Sequence, residues 1–259
     1  MPSERRNKPV VKKAPDKDPL PLVTVICDNY TTREDLEASW GFSCLITLGG
    51  KNILFDTGSD GVVLSKNMAR LGIDPAAIDL LMLSHQHWDH TGGIYYILDA
   101  NRNIQVSLPR SFSAHFKADM KRYGAKLLEA DRACEILPDF YTTGDLDGPM
   151  HEQAALVKTV DGIVVITGCA HPGIVHIVKA AKDILPDDDL TLVMGGFHLL
   201  DDSDGDILEI IRQFKSLGVR YAAASHCSGE RARELFAREY KDHFIALGAG
   251  TEISPADLK

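Results

Sequence analysis

The sequence predicts an α/β protein with mixed β-sheets. Short apolar segments alternate with amphipathic ones, the first half of the chain is rich in strand-like segments, and the second half alternates strand with helix. A hairpin is indicated at residues 48–51, where Leu-Gly-Gly-Lys joins two strand-like segments. The composition agrees, because a chain of 259 residues with 44% hydrophobic and 25% charged residues is ordinary for a globular protein.

Apolar segments of four to six residues predict the strands, and helical periodicity predicts the helices. The predicted strands are residues 22–26, 43–48, 52–55, 80–84, 104–107, 163–167, 190–194, 219–224 and 244–247. The predicted helices are residues 61–71, 113–123, 174–185, 207–217 and 230–240. Ser203 and Ser228 are predicted to cap the last two helices, since acidic residues follow each of them closely.

The charge distribution suggests a basic tail and an acidic body. Residues 1–21 contain six Lys or Arg against three Asp or Glu, which leaves 22 basic and 34 acidic residues for the rest of the chain. We expect the tail to be disordered and residues 22–259 to form a single domain, with 109–149 as a cap or insertion near the active site. The acidic body argues against nucleic acid as the main partner, since phosphates require clustered cations.

Cysteine usage and hydropathy bear on the compartment. The five cysteines are odd in number and scattered, which does not indicate a disulfide framework. The chain has no apolar run of about 18 residues, and its start lacks the apolar region of a secretory signal. We therefore expect a cytoplasmic protein that does not span a membrane, whereas its oligomeric state does not follow from the sequence.

The segment from His85 to His90 is the strongest chemical motif. It reads His-Gln-His-Trp-Asp-His and follows the predicted strand 80–84 directly. His85 and His87 stand two residues apart on an extended segment, so they project to one side and can share one metal ion. Asp89 and His90 follow the bend and can face a second ion. Zinc is the first choice of metal for these ligands, and manganese, iron and cobalt are alternatives. If the segment were only a surface loop, the spacing of its histidines would have no explanation.

Three later strands also end at histidines. The sequences are Gly-Cys-Ala-His at 168–171, Gly-Gly-Phe-His at 195–198 and Ser-His-Cys-Ser-Gly at 225–229. One such histidine is more often structural, but three in a chain that already has the first motif favour a shared site. Asp56 also follows a strand, and we expect it to orient the histidine loop rather than bind an ion. His115, His176 and His243 are expected at the surface.

These motifs resemble those of the metallo-β-lactamase-fold hydrolase superfamily, through the strand end at 54–58, the motif at 85–90 and the late His226. Within it, the chain is most similar to the branch called dihydropterin-ribofuranosyl-aminobenzene-phosphate synthase-like, through residues 168–171, 195–199, 225–229 and 246–251. The resemblance covers about residues 22–253. It implies an αββα sandwich of two mixed β-sheets flanked by helices, with the metals in a cleft at one edge of the sheets.

The resemblance also implies a ligand set with one departure from the family. The two implied groups are His85, His87 and His171 for one ion, and Asp89, His90 and His226 for the other. Most members have an aspartate that bridges both ions where this chain has Cys169, so Cys169, His171 or an acid such as Glu152 is expected to supply that contact. The branch has His-Gly where this chain has Trp40-Gly41, so contacts with the substrate are expected to differ.

The expected activity is that of a binuclear metallohydrolase. Two ions about 3.5–4 Å apart turn a shared water into a metal-bound hydroxide near neutral pH. Such a site would hydrolyse a small-molecule ester, lactone, amide or phosphoester. Asp89 is expected to bind an ion and to orient the attacking water, and His198 to protonate the leaving group or bind an anionic substrate.

Other functions remain open at this point. The branch name implies a metal-dependent transferase of pterin biosynthesis, for which Arg110, Lys117, Lys121 and Arg122 in the predicted cap could recognise phosphate. A nuclease of the same fold is a further alternative, which the basic tail supports and the acidic body opposes. A flavin or di-iron oxidoreductase fits the chain length poorly, while a single-iron enzyme that handles sulfur compounds is separated from the hydrolases by metal analysis.

Overall fold

The computed structural model describes residues 22–258, so the tail predicted at 1–21 lies outside the described residues. The described chain forms four layers, in which two mixed β-sheets pack face to face and helices cover both outer faces. This αββα sandwich confirms the predicted fold class. Within residues 22–258, no helix has both the length and the apolar character needed to cross a membrane.

Thirteen strands and seven α-helices make up the described layers. The strands are β1 (Val23–Cys27), β2 (Ser43–Leu48), β3 (Lys51–Phe55), β4 (Leu80–Met82), β5 (Gln105–Pro109), β6 (Lys126–Ala130), β7 (Cys134–Leu137), β8 (Phe140–Thr142), β9 (Ala155–Thr159), β10 (Gly162–Thr167), β11 (Leu190–Gly196), β12 (Tyr221–Ser225) and β13 (Glu252–Ile253). The helices are α1 (Gly61–Leu71), α2 (Trp88–Thr91), α3 (Ile94–Ala100), α4 (Ala114–Arg122), α5 (Ile174–Ile184), α6 (Asp204–Ser216) and α7 (Gly229–Tyr240).

The two sheets combine antiparallel hairpins with parallel strands. The first sheet has the order β13-β1-β2-β3-β4-β5-β6 and is parallel from β3 to β6. The second has the order β12-β11-β10-β9-β8-β7 and is parallel from β10 to β12. Parallel neighbours end on the same side of a sheet, so the loops that follow β3 and β4 lie together, as do those that follow β10, β11 and β12.

Three apolar clusters hold the layers together. One lies between the sheets and includes the fully buried rings of Phe42, Phe55 and Phe140. A second joins the first sheet to α1, α3 and α4, and a third joins the second sheet to α5, α6 and α7. The third contains Phe214, whose ring lies 5.6 Å from that of Phe197 at the end of β11. The loops at the strand ends therefore stand on a packed base.

The caps of the last two helices differ from each other. Ser203 caps α6 as predicted, because its side chain accepts a hydrogen bond from the backbone N–H of Asp206. Ser228 precedes α7 but makes no capping hydrogen bond. Its hydroxyl instead accepts the backbone N–H of Phe197 at 3.0 Å, which ties the start of α7 to the loop after β11.

The region 109–149 differs from the predicted cap or insertion. It contains α4 and also β6, β7 and β8, which complete the outer parts of both sheets. Charged side chains on β6 and β7, such as Lys126 and Glu135, are exposed and mask the strand pattern. Strands β9 and β13 were not predicted either. The strand predicted at 244–247 is wrong, since only an isolated bridge from Phe244 to Ala222 is formed there.

Glycines in the histidine loop serve a close approach of backbones. A Cβ atom on Gly92 would lie 2.0 Å from the carbonyl oxygen of Ser59, and one on Gly93 would lie 2.5 Å from that of Thr57. Both glycines have negative φ angles, so space and not a left-handed turn requires them. The histidine loop can therefore pack directly on the loop that follows β3.

Candidate metal centre

The structure gathers side chains that could hold a metal ion at the strand ends of both sheets. The ligand atoms of one group all lie within 4.8 Å of one another, and so do those of a second group. The first group is Asp89, His90, Cys169 and His226, and the second is His85, Cys169 and His171. Cys169 belongs to both groups. Its Sγ atom is 3.2 Å from Nε2 of His90, so the thiol stands between the histidines of the two sheets.

Each of four imidazoles is oriented by an oxygen atom at its Nδ1. The pairs are His85 with Ser84 Oγ at 2.9 Å, His90 with Asp56 Oδ2 at 2.7 Å, His171 with Glu152 Oε2 at 2.9 Å, and His226 with Asn29 Oδ1 at 3.0 Å. Carboxylate and amide oxygens accept hydrogen bonds, and the Ser84 hydroxyl already donates to Asp56. The proton of each ring therefore sits on Nδ1. Each ring therefore has an unprotonated Nε2, whose lone pair can bind a metal ion.

Asp56 supports the histidine loop from behind. Its fully buried carboxylate accepts the backbone N–H of Ser84 at 2.7 Å and the Ser84 hydroxyl at 2.6 Å, in addition to His90 Nδ1. One carboxylate thus fixes the end of β4 and the start of α2. Asp56 is not in either group of ligands.

Glu152 organises the loop that follows β10. Its Oε1 accepts three consecutive backbone N–H groups, those of residues 168, 169 and 170, and its Oε2 accepts the backbone N–H of His171 and its ring. Burial alone raises the pKa of Glu152, but His85 and His171 outweigh it and hold the pKa well below its usual range. The ionised carboxylate is thus occupied by the loop and by His171, and it stands behind the ligand groups.

The donor set fits divalent cations. Among buried side-chain nitrogen and oxygen atoms of residues 22–258, only Nε2 of His226 has no hydrogen-bond partner, although Asp89 Oδ2 is 3.3 Å away. Burial lowers the pKa of His90 to about 3, so the ring is neutral at pH 7. Burial raises the pKa of the Cys169 thiol well above its usual range, and a bound cation would displace that proton.

His87 and His198 lie beside the two groups rather than in them. Nδ1 of His87 is 3.1 Å from Nε2 of His85, and its ring centroid is 4.8 Å from that of His171. The ring of His198 is exposed and lies 4.6 Å from that of His171. His115, His176 and His243 are exposed, and none belongs to either group.

Trp40 and Asn29 reach the site from the loops after β1. The indole N–H of Trp40 donates to Asp89 Oδ2 at 2.8 Å, and its ring lies edge-on to His226 at 5.1 Å. Asn29 accepts from His226 Nδ1 and donates to the His226 carbonyl oxygen. Asn29 was not among the predicted site residues. A polar residue just past the predicted strand 22–26 was the available signal, since the other site residues follow strands in the same way.

Four residues at the site have left-handed backbone conformations without being glycine. These are Asp56, Ala170, His198 and His226, with φ angles between 49° and 67°. Each such residue costs roughly 1–3 kcal/mol and persists only where surrounding contacts impose it. The loop at Gly168 is equally constrained, because a Cβ atom there would lie 2.1 Å from Ser84 Oγ.

Comparison with known proteins assigns the family. The family model of the metallo-beta-lactamase superfamily matches residues 41–196. The chain belongs to this superfamily, as the αββα sandwich and the paired ligand groups also indicate. The superfamily is metal-dependent, and the family predicted from the motifs is confirmed.

Individual relatives are more specific. The chain is 30% identical over 244 residues to a protein of Methanocaldococcus jannaschii named 7,8-dihydropterin-6-methyl-4-(beta-D-ribofuranosyl)-aminobenzene-5'-phosphate synthase, with 77% of this chain and 83% of the relative covered. It is also similar to a crystal structure of Tm1679, described as a metal-dependent hydrolase of the beta-lactamase superfamily. That likeness has a TM-score of 0.76, 30% identity, and coverage of 90% of this chain and 98% of the other. A Bacillus subtilis structure, YhfI, shares the fold at 20% identity, with a TM-score of 0.65 and coverage of 88% and 97%.

Replacing Glu152 with glutamine is expected to weaken both fold and metal binding. An amide presents an N–H₂ group where the carboxylate accepts backbone N–H groups, so buried donors lose their partner. We expect the free energy of unfolding to fall by about 3 kcal/mol in urea denaturation, and the metal affinity by about 10- to 100-fold. Glu129→Gln, at an exposed carboxylate, is the matched control. A variant as stable as wild type would contradict this role of Glu152.

Replacing Trp40 with phenylalanine is expected to loosen Asp89. Phenylalanine retains an aromatic ring but lacks the N–H that donates to Oδ2. Because such contacts orient metal ligands, we expect the metal dissociation constant to rise about tenfold with little change in stability. Competition with a chelating dye measures this constant. Trp88→Phe, at a residue that is 64% exposed, is the control, and equal affinities of the two variants would refute the idea.

Proposed function

We propose that the chain is a hydrolase with a binuclear metal centre that acts on a small-molecule ester, lactone, amide or phosphoester. The observation that carries this proposal is the position of the Cys169 Sγ atom in both ligand groups. A thiolate at that point would contact two ions at once, as the bridging aspartate does in the family pattern that the motifs resemble. The similarity to a metal-dependent hydrolase supports the same reading.

Zinc is the proposed metal, with manganese or iron as alternatives. Imidazole, thiolate and carboxylate ligands together suit zinc, and the thiolate favours zinc over manganese. The proposed first ion is held by Asp89, His90, Cys169 and His226, and the second by His85, Cys169 and His171. His87, whose Nδ1 lies 3.1 Å from His85 Nε2, is the proposed further ligand of the second ion. All five cysteines are free, which supports the expected cytoplasmic location.

The residues of the chain would divide the chemistry between them. When bound, two such ions lower the pKa of water and polarise a substrate oxygen. Asp89 would hold one ion and orient the nucleophile, and Trp40 would keep Oδ2 of Asp89 in place. His198 is exposed beside His171, so its ring can approach a bound substrate and protonate the leaving group.

A transferase of pterin biosynthesis is the second candidate function. The name of the Methanocaldococcus jannaschii relative supports it, since that protein is 30% identical over most of both chains. The cations predicted to recognise phosphate, Arg110, Lys117, Lys121 and Arg122, give the transferase less support. Three of them form ion pairs, Arg110 with Asp131, Lys117 with Glu129 and Arg122 with Asp119.

A nuclease of the same fold has less support than either candidate. Single strands or duplexes require a track of available cations, and the pairing of Arg110, Lys117 and Arg122 removes three candidates from such a track. We therefore propose a small-molecule substrate. The hydrolase and the transferase are separated by products, because hydrolysis consumes water whereas transfer joins two substrates.

Metal analysis tests the binuclear centre. Protein purified without added metal is expected to contain about two ions per chain, as a shared activated water requires. Removing the shared thiol in Cys169→Ala should lower this content to one ion or less, as measured by elemental analysis. Cys134→Ala, at an exposed cysteine outside the ligand groups, is the control and should retain both ions. Two ions in Cys169→Ala would show that the thiolate is not a ligand.

The role of His198 is tested by alanine substitution. If His198 protonates the leaving group, His198→Ala should lower kcat by about 10²- to 10⁴-fold with the metal content unchanged. The loss should be smaller for esters with acidic leaving groups such as 4-nitrophenol, because these depart without a proton. His115→Ala, at a side chain that is 85% exposed, should keep wild-type kcat. Full turnover of poor and good leaving groups alike in His198→Ala would remove His198 from the mechanism.

A further inference from the structure

A cavity of about 400 Å³ opens beside the second ligand group. It lies between the loop after β10, the loop after β11 and α6, and His171 and His198 form its wall toward the ligands. His171 belongs both to this wall and to a ligand group. A molecule bound in the cavity would therefore lie next to the position at which the metal centre would act on a bond. The volume is within the range of small-molecule pockets, which is about 300–1,000 Å³.

The cavity is lined mainly by apolar side chains from three elements. Val175 lies on the first turn of α5, Phe197 and Leu199 follow β11, and Ile210 lies on α6. Phe197 and Leu199 are buried, while Val175 and Ile210 are half-buried and pack against the core on one side only. Apolar area is therefore available in the cavity to a ligand that removes it from water.

The electrostatics of the cavity disfavour anions. Its ionisable lining consists of three histidines and Asp202, without a Lys or Arg from residues 22–258. A second cavity of about 340 Å³ is also lined by His198, together with Trp40, Leu200, Asp201, Asp202 and Cys227, again without a Lys or Arg of the described chain. A phosphate or carboxylate that lies in either cavity away from the proposed metal ions would meet the Asp202 carboxylate and no Lys or Arg of the described chain.

We propose that the cavity bounded by Val175, Phe197, Leu199 and Ile210 binds an uncharged apolar or aromatic portion of the substrate, next to the bond that reacts. This inference rests on the proposed hydrolase function and narrows its substrates to esters, lactones or amides with an apolar group on one side of the scissile bond. It excludes substrates that carry phosphate on that same side.

A binding experiment tests the cavity without turnover. Hexanophenone, an uncharged ketone that is not hydrolysed, is titrated into the metal-loaded full chain and followed by ligand-detected NMR. We expect saturable binding that weakens at least tenfold in Ile210→Asp and in the cavity-filling Val175→Trp. Val160→Asp and Val160→Trp, at a residue that is 98% exposed, are the matched controls. Circular dichroism detects a misfolded variant. Two different substitutions are used so that, if one variant misfolds, the other still tests the cavity.

Hydrolysis provides the second arm. Esters are lengthened on the acyl side in one series and on the alcohol side in another, and kcat/KM is measured for each. Burial of each added CH₂ should raise kcat/KM about fourfold in one series, and Ile210→Asp should abolish this dependence. A carboxylate at the far end of the longest chain should lower kcat/KM at least tenfold, because it would lie near Asp202.

The outcomes separate the cavity from the activity. Variant-sensitive binding of hexanophenone without hydrolysis of any ester, lactone, amide or phosphoester in a substrate panel supports the cavity and overturns the proposed hydrolase. Hydrolysis with no dependence on chain length, and no binding that Ile210→Asp or Val175→Trp weakens, overturns the cavity and leaves the hydrolase in place. Equal rates with and without the terminal carboxylate overturn the exclusion of anions.

Discussion

The hydrogen bond between the His90 ring and the buried Asp56 carboxylate exemplifies the constraint on which the whole site depends. A neutral imidazole can bind a cation through only one nitrogen, and the proton must be held on the other. Asp56, Glu152, Ser84 and Asn29 hold that proton on four different rings. Asp56, Glu152 and Asn29 also accept backbone N–H groups, and the Ser84 hydroxyl is held by Asp56, so the direction of each Nε2 lone pair is set without a bound ion.

The two sheets contribute to the centre in equal measure. His85, Asp89 and His90 follow β4 of the first sheet, whereas Cys169, His171 and His226 follow β10 and β12 of the second. The distance between the halves is therefore set by the apolar layer between the sheets. Packing in that layer determines whether Cys169 Sγ meets the rings of both sheets. The packing of the core thus affects the chemistry of the site through the distance between the two halves of the centre.

The parts of the site that the sequence predicted are those that local order determines. His85 to His90 follow one strand within a few residues, so the type and spacing of side chains suffice to predict a cluster. Asn29 and His226 are 197 positions apart, and no local pattern relates them. Glu152 was considered as a ligand because its residue type allowed it, but its four backbone partners become visible only in three dimensions. Strands at 126–130 and 134–137 were missed because their exposed charges conceal their membership of a sheet.

The four left-handed residues around the centre have an evolutionary consequence. The left-handed conformation is unfavourable for non-glycine residues, and the folded chain imposes it on Asp56, Ala170, His198 and His226. The fold is therefore less stable than its core alone would permit. Selection for stability and selection for function then act in opposite directions at these positions. Lineages that lose the activity should relax these four positions first, while the layer between the sheets persists. The geometry of the loops would then disappear before the architecture does.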